Sequence, residues 1–107
     1  MVDRSVFDLA RRYLKAVESS GIHVRRGILF GSHVRGTASP DSDIDLVVVA
    51  PEFDPPRNED LVDLLWESRG EADWRIEPFA CGERQWETDD ANPILEIARR
   101  EGETITR

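Results

Sequence analysis

Two aspartates one residue apart, Asp43 and Asp45, follow a Gly31-Ser32 pair after a gap of ten residues. In an extended chain, residues i and i+2 point to the same side, roughly 6 to 7 Å apart. Two carboxylates so placed aim at one point. Oxygen ligands of this kind suit Mg²⁺, which is commonly held by one or two carboxylates together with substrate phosphates. Gly31 permits close approach of a phosphate to the backbone, and a short helical turn over Ser32 to Gly36 would present N–H groups to an anion. Arg35 adds a positive charge that either contacts phosphate or pairs with Asp41 or Asp43. Asp-x-Asp alone is a weak signal, since eleven aspartates in 107 residues give about one match by chance. The whole string, Gly-Ser, ten residues, Asp-x-Asp, is expected only about 0.004 times.

The motif needs strands to hold it. Ile28-Leu29-Phe30 leads in and Leu46-Val47-Val48-Val49-Ala50 leads out; both runs are short, apolar and bounded by breakers, as buried strands are. The spacing predicts strands over Ile22 to Phe30 and Asp43 to Ala50, antiparallel because their connection is short. The loop over Thr37 to Ser42 separates them. In the second strand Asp43 and Asp45 share one face and Ile44 and Leu46 the other. A third strand is expected over Ala72 to Ala80, with Asp73, Arg75 and Glu77 on one face and Trp74, Ile76 and Pro78 on the other. Pro78 cannot donate to a ladder, so this is an edge strand or one that ends near there. Helices are expected over Ser5 to Ser19, from Asn58 to about Arg69, and from Asn92-Pro93 to Gly102, from apolar spacing and end signals. Trp66 reads as a cover for core or interface. Gly82 to Asp90 reads as polar chain with Trp86 as a lone anchor, and Thr104 to Thr106 as a closing strand or frayed tail. The order gives an α/β fold: a mixed β-sheet with helices packed on it, in a single small domain.

Composition narrows the partners. The formal net charge is −8, which repels polyanions and disfavours general nucleic-acid binding. The clusters Arg11, Arg12, Lys15 and Arg25, Arg26 read as solvated edges. No apolar stretch approaches the roughly 20 residues that span a bilayer, and the first residues carry no signal core, so a cytoplasmic protein is expected. Cys81 is the one cysteine, which fits a reducing compartment and reads as structural. His23 reads as a surface residue, and His33 is given no role.

The Gly-Ser to Asp-x-Asp string resembles the signature of the DNA polymerase β-like nucleotidyltransferase superfamily, and within it the minimal nucleotidyltransferase domains, including antitoxins paired with HEPN toxins. The resemblance runs from about Ile22 to Glu77 with a helix on either side, and implies one minimal nucleotidyltransferase domain over residues 1–107. It implies that Asp43 and Asp45 hold two Mg²⁺ ions, that Gly31 and Ser32 grip the triphosphate of a nucleotide, taken as ATP, and that Arg35 is the basic residue beside them. A third carboxylate comes from a neighbouring strand; Glu77 is the choice and Asp73 the alternative, and the alternation does not separate them. Aspartate is common at this place, so glutamate is a departure. The implied activity is transfer of AMP from ATP to a hydroxyl of a protein partner, a HEPN-type toxin, with homo- or hetero-oligomers open. Two other readings stand beside it: a non-catalytic antitoxin that neutralises its partner by contact, and a transferase acting on a small molecule such as an aminoglycoside.

Overall fold

A computed structural model of the chain describes residues 2–105. Among these, five helices and four strands follow in the order α1 (Arg4–Ser19), β1 (Arg26–Phe30), α2 (Ser32–Arg35), β2 (Ile44–Val49), α3 (Glu59–Glu67), β3 (Ile76–Cys81), α4 (Glu83–Thr88), α5 (Pro93–Glu101) and β4 (Glu103–Ile105). Single 3₁₀ turns span Pro51–Phe53 and Ser68–Glu71. The strands form one sheet in the order β3-β2-β1-β4. β1 runs antiparallel to both β2 and β4, and β2 runs parallel to β3. The sheet is therefore mixed, with helices packed on it. No helix among the described residues is long and apolar enough to cross a membrane.

The alternation of strand side chains divides the interior in two. Leu29, Ile44, Leu46, Val48 and Ile76 pack beneath α1 and α3, against Ala10, Leu14, Val17 and Leu65. Ile28, Phe30, Val47, Val49 and Cys81 pack on the other face, against Leu95 and Ala98 of α5. Asp45 and Glu77 belong to this second face by parity. They extend its apolar rows toward the Gly31 end of the sheet.

α1 starts where Asp3 accepts a hydrogen bond from the Ser5 amide at 2.8 Å, an N-cap that satisfies an otherwise orphan donor. Its buried residues, Val6, Ala10, Tyr13, Leu14 and Val17, recur at spacings of three and four. Tyr13 donates its hydroxyl to the Leu65 carbonyl at 2.6 Å and so ties α1 to α3 inside the core. Tyr13→Phe keeps the ring and leaves that buried carbonyl short of a partner, so the folded state is expected to lose about 1–2 kcal/mol. A urea titration comparing midpoints at constant slope checks this.

Three expectations need correction. The first strand begins at Arg26 rather than Ile22; Ile22 and Val24 are buried, but only from Arg25 onward does the backbone bond β2, through the Val49 carbonyl. The third strand begins at Ile76 rather than Ala72. Asp73 accepts the Arg75 amide at 2.8 Å in a local turn that competes with the ladder, and Trp74 is 67% exposed instead of facing inward. The stretch after Gly82 is helical: α4 takes its cap from Asp54, whose carboxylate accepts the amides of Arg84 and Gln85 at 3.0 and 3.2 Å. Elsewhere the structure agrees. β3 is an edge strand, as Pro78 requires, and Asn92 caps α5 with Pro93 at its first turn. Thr104 and Ile105 close the sheet in β4, while Thr106 lies outside the described residues.

Candidate active site

The site is built at the seam between β1 and β2, where the chain turns into α2. Gly31 takes φ +83°, a backbone conformation that L-residues with a side chain rarely adopt. The need is steric as well as conformational. A Cβ at Gly31 would stand 2.3 Å from Asp45 Oδ2, so the carboxylate lies flat against a glycine that leaves room for it. The Gly31 carbonyl accepts the amides of Val34 and Arg35 at 3.1 and 3.0 Å, closing the single turn of α2. Ser32, half-buried, opens that turn next to the acid.

The register of the sheet brings the acids together. Asp45 faces Phe30 on β1 and Glu77 on β3. Side chains of register partners on adjacent strands stand on the same face, so the Asp45 and Glu77 carboxyls are neighbours. Asp43 precedes β2 by one residue with the same parity, and its charge acts on Glu77. Burial, followed by the Asp43 charge, holds the Asp45 carboxyl above its usual range, while Arg35 and His33 pull it down. Burial and then the charges of Asp45 and Asp43 hold the Glu77 carboxyl up in the same way. Like charges that raise a carboxyl's proton affinity in this way must be close.

Asp73 is elsewhere. It lies in the turn before β3, and the Arg75 guanidinium clasps it through Nε and Nη2, both at 3.0 Å. That hydrogen bonding holds its carboxyl below the usual range. Of the two candidates for third acid, Glu77 is the one beside Asp45. Arg35 also differs from expectation. It pairs with neither Asp41 nor Asp43 but with Glu101 at the end of α5, at 2.8 Å, from where its charge still acts on Asp45.

Two residues that the sequence left without a role hold the loop that delivers Asp43. His33 donates from Nε2 to the Ser42 carbonyl at 3.2 Å, and Arg75 donates to the Pro40 carbonyl at 2.9 Å. Within the loop, Ser42 Oγ accepts the Ser39 amide at 2.9 Å. Cys81, buried at the far end of β3, has its thiol pushed up to about 11 by burial, which leaves no reactive thiolate at neutral pH.

The donor set at the seam is oxygen only, and its members repel one another when ionised. Both properties fit a hard divalent cation. Among the described residues, no three His, Cys, Asp or Glu side chains converge as a ready cage for a metal. The acids stand at an open edge. Clefts of about 260 to 600 Å³ are lined by other residues, such as His33, Ser39 and Arg75 on one side of the loop and Phe53, Asp54 and Arg84 near α4.

Comparison with known proteins gives the family and the fold. The family model for the nucleotidyltransferase domain matches residues 10–96. A candidate nucleotidyltransferase from Sulfolobus solfataricus shares the fold with a TM-score of 0.64 at 19% identity, over 92% of this chain and 78% of that one. A toxin–antitoxin solved with AMP-PNP superposes with a TM-score of 0.54 at 20% identity, over 88% of this chain and 69% of its match. No curated protein matches the chain significantly.

Proposed function

We propose, from the premise that the chain belongs to the nucleotidyltransferase domain family, that it moves AMP from ATP to a hydroxyl of a protein partner, a HEPN-type toxin, and thereby acts as an antitoxin. The observation that carries the reading is the pairing of Asp45 with Glu77 across β2 and β3 over Gly31. A toxin–antitoxin with a bound ATP analogue among the structural neighbours supports it.

In this reading Asp43, Asp45 and Glu77 would hold two Mg²⁺ ions. Bound there, the metal supplies charge neutralisation at the phosphates and a lowered pKa for the attacking hydroxyl. The chain's own part is positioning. Gly31 lets the β and γ phosphates approach the backbone, and the amide and hydroxyl of Ser32 donate to their oxygens. Arg35 lends positive charge from the end of α2, outside the acid pair. Glu77, with its raised proton affinity, is suited to take the acceptor's proton. The β2–β3 ladder fixes the acids relative to the Gly31 corner, so attack of the hydroxyl oxygen on the α-phosphorus, which breaks its bond to the α,β-bridging oxygen and releases pyrophosphate, needs little rearrangement of the protein. The open edge leaves the acceptor side unwalled, which favours a macromolecule that brings its own wall over a small molecule.

The test is incubation with ATP labelled at the α-phosphate, Mg²⁺ and the protein encoded by the adjacent gene. Label is expected on the partner and is expected to vanish with Asp43→Ala and with Asp45→Ala. Neutralisation that survives both changes without labelling would replace transfer with simple binding. Turnover of an aminoglycoside with no protein partner would move the acceptor to a small molecule.

A further inference from the structure

Residues 58–75, from the cap of α3 to the start of β3, carry six acids against two arginines. That net −4 is half of the chain's −8, set in about a sixth of its length. Both arginines are already engaged. Arg75 clasps Asp73. Arg69 lies between two indoles, its guanidinium 4.7 Å from the ring centre of Trp66 and 5.4 Å from that of Trp74. It also donates to the Trp66 carbonyl at 2.9 Å and the Trp74 carbonyl at 3.3 Å. The Trp74 ring lies over Gly70, within 3.2 Å of where a Cβ would stand.

These two tryptophans are the large apolar side chains exposed among the described residues, Trp66 at 39% and Trp74 at 67%. Isolated exposed apolar residues need no explanation. Two indoles clamped by one guanidinium are different, because the platform is already ordered and loses little entropy when something covers it. Tryptophan is also the residue most enriched where a few side chains dominate binding. By helical spacing Glu59 and Asp63, both exposed, lie on the face of α3 that carries Trp66, and Asp73 directly precedes Trp74. A carboxylate rim selects a positively charged partner and repels a nucleic acid or a second copy of this chain.

The platform is linked to the candidate active site through the chain. α3 packs on the opposite face of the sheet from Asp45 and Glu77, but Trp74 stands two residues before β3, the edge strand that carries Glu77, and the intervening Arg75 holds the loop that carries Asp43.

We propose that the Trp66–Arg69–Trp74 platform, with its acidic rim, is the docking surface for a protein partner that presents a basic face. That this partner is also the acceptor rests on the transfer reading above. Docked there, its hydroxyl would be delivered to the edge where Asp43, Asp45 and Glu77 stand.

Binding of the adjacent gene's product is measured by titration calorimetry, separately from transfer of label. Trp74→Ala and Trp66→Ala are each expected to weaken binding by roughly thirtyfold; Trp74→Ala leaves the thermal melt unchanged because that side chain is 67% exposed, and Trp66→Ala is compared at a temperature well below its own melt. Glu59→Gln combined with Asp63→Asn is expected to flatten the fall of affinity with salt. Asp45→Asn is expected to bind within twofold of the unaltered chain. Binding by both tryptophan variants at unaltered strength, or no binding by the unaltered chain, overturns the docking surface. Labelling that persists in the tryptophan variants at unchanged KM overturns it too and leaves transfer standing. Tight binding that depends on Trp74, with no label transferred by the unaltered chain, upholds the surface and removes transfer.

Discussion

Asp45→Asn is expected to lower transfer by roughly 10²- to 10³-fold, the cost of removing one well-placed charged group from a site of this kind, and at the same time to raise the melting temperature at neutral pH. The two effects have one cause. Burial and the Asp43 charge hold the Asp45 carboxyl above its ordinary value of 3.8, and burial with both aspartates holds Glu77 above 4.5. A carboxyl that binds its proton more tightly folded than unfolded opposes folding while it is ionised. The lost stability returns as pH falls through the raised folded pKa, and is fully recovered below the ordinary values. Asp73 behaves oppositely. Its pKa is lowered by Arg75, so its contribution is present above 3.8 and is lost only as pH falls through the lowered value. Asparagine keeps the shape of Asp45 and removes its charge, relieving Glu77 as well. The gap in melting temperature between variant and unaltered chain should be widest at pH 7 and close toward pH 4. Thermal melts at both pH values, beside a labelling assay, measure it; a variant less stable at pH 7 would show that the charge is balanced by partners and not by repulsion.

On the reading proposed above, acids that repel one another at the β2–β3 edge are suited to a divalent cation. The same carboxyls that repel one another supply the binding energy when a divalent ion enters, since ligands that prefer protonation alone prefer the metal more strongly still. The stability gained with Mg²⁺ should therefore depend on Asp45.

The legible parts of the chain were those whose causes are local. Gly31 ends β1 within one residue of where the apolar run stops, the valines of β2 need no partner to be recognised, and Asn92-Pro93 announces α5 through its own cap. What escaped had distant causes. α4 is capped chiefly by Asp54, thirty residues upstream, and within Gly82 to Asp90 the one local start signal is Gln85, which accepts the Gly82 amide. Arg35 finds Glu101 across 66 positions, whereas the sequence offered only the nearby Asp41 and Asp43. The start of β3 was hidden by a coincidence of pattern. Asp73, Trp74 and Arg75 alternate as a strand would, but the Asp73 carboxylate takes the Arg75 amide and guanidinium for itself. The choice between Asp73 and Glu77 depended on that same turn and on the β2–β3 register, neither of which the alternation contains.

Gly31→Ala tests how tightly the corner is specified. The position has φ +83°, and holding alanine there costs about 1–2 kcal/mol before any contact is counted. The added methyl would also meet Asp45 Oδ2 at 2.3 Å, an approach real structures do not tolerate. Flexible surface side chains escape such overlaps by turning away. Asp45 has less freedom, because its backbone is locked in β2 between Phe30 and Glu77 and its side chain is half-buried. Either the carboxylate is driven toward Glu77, against like charge, or the Gly31 peptide shifts and carries Ser32 with it. A total loss of roughly 2–4 kcal/mol is expected, read from the denaturant midpoint, with nucleotide binding lost beyond what the destabilisation explains. The double change Gly31→Ala with Asp45→Asn should recover part of the stability, since charge repulsion disappears, and none of the binding. Two variants in contact that are non-additive in this direction would establish that glycine is required at position 31 for the sake of the Asp45 carboxylate; full additivity would place the defect in the backbone alone.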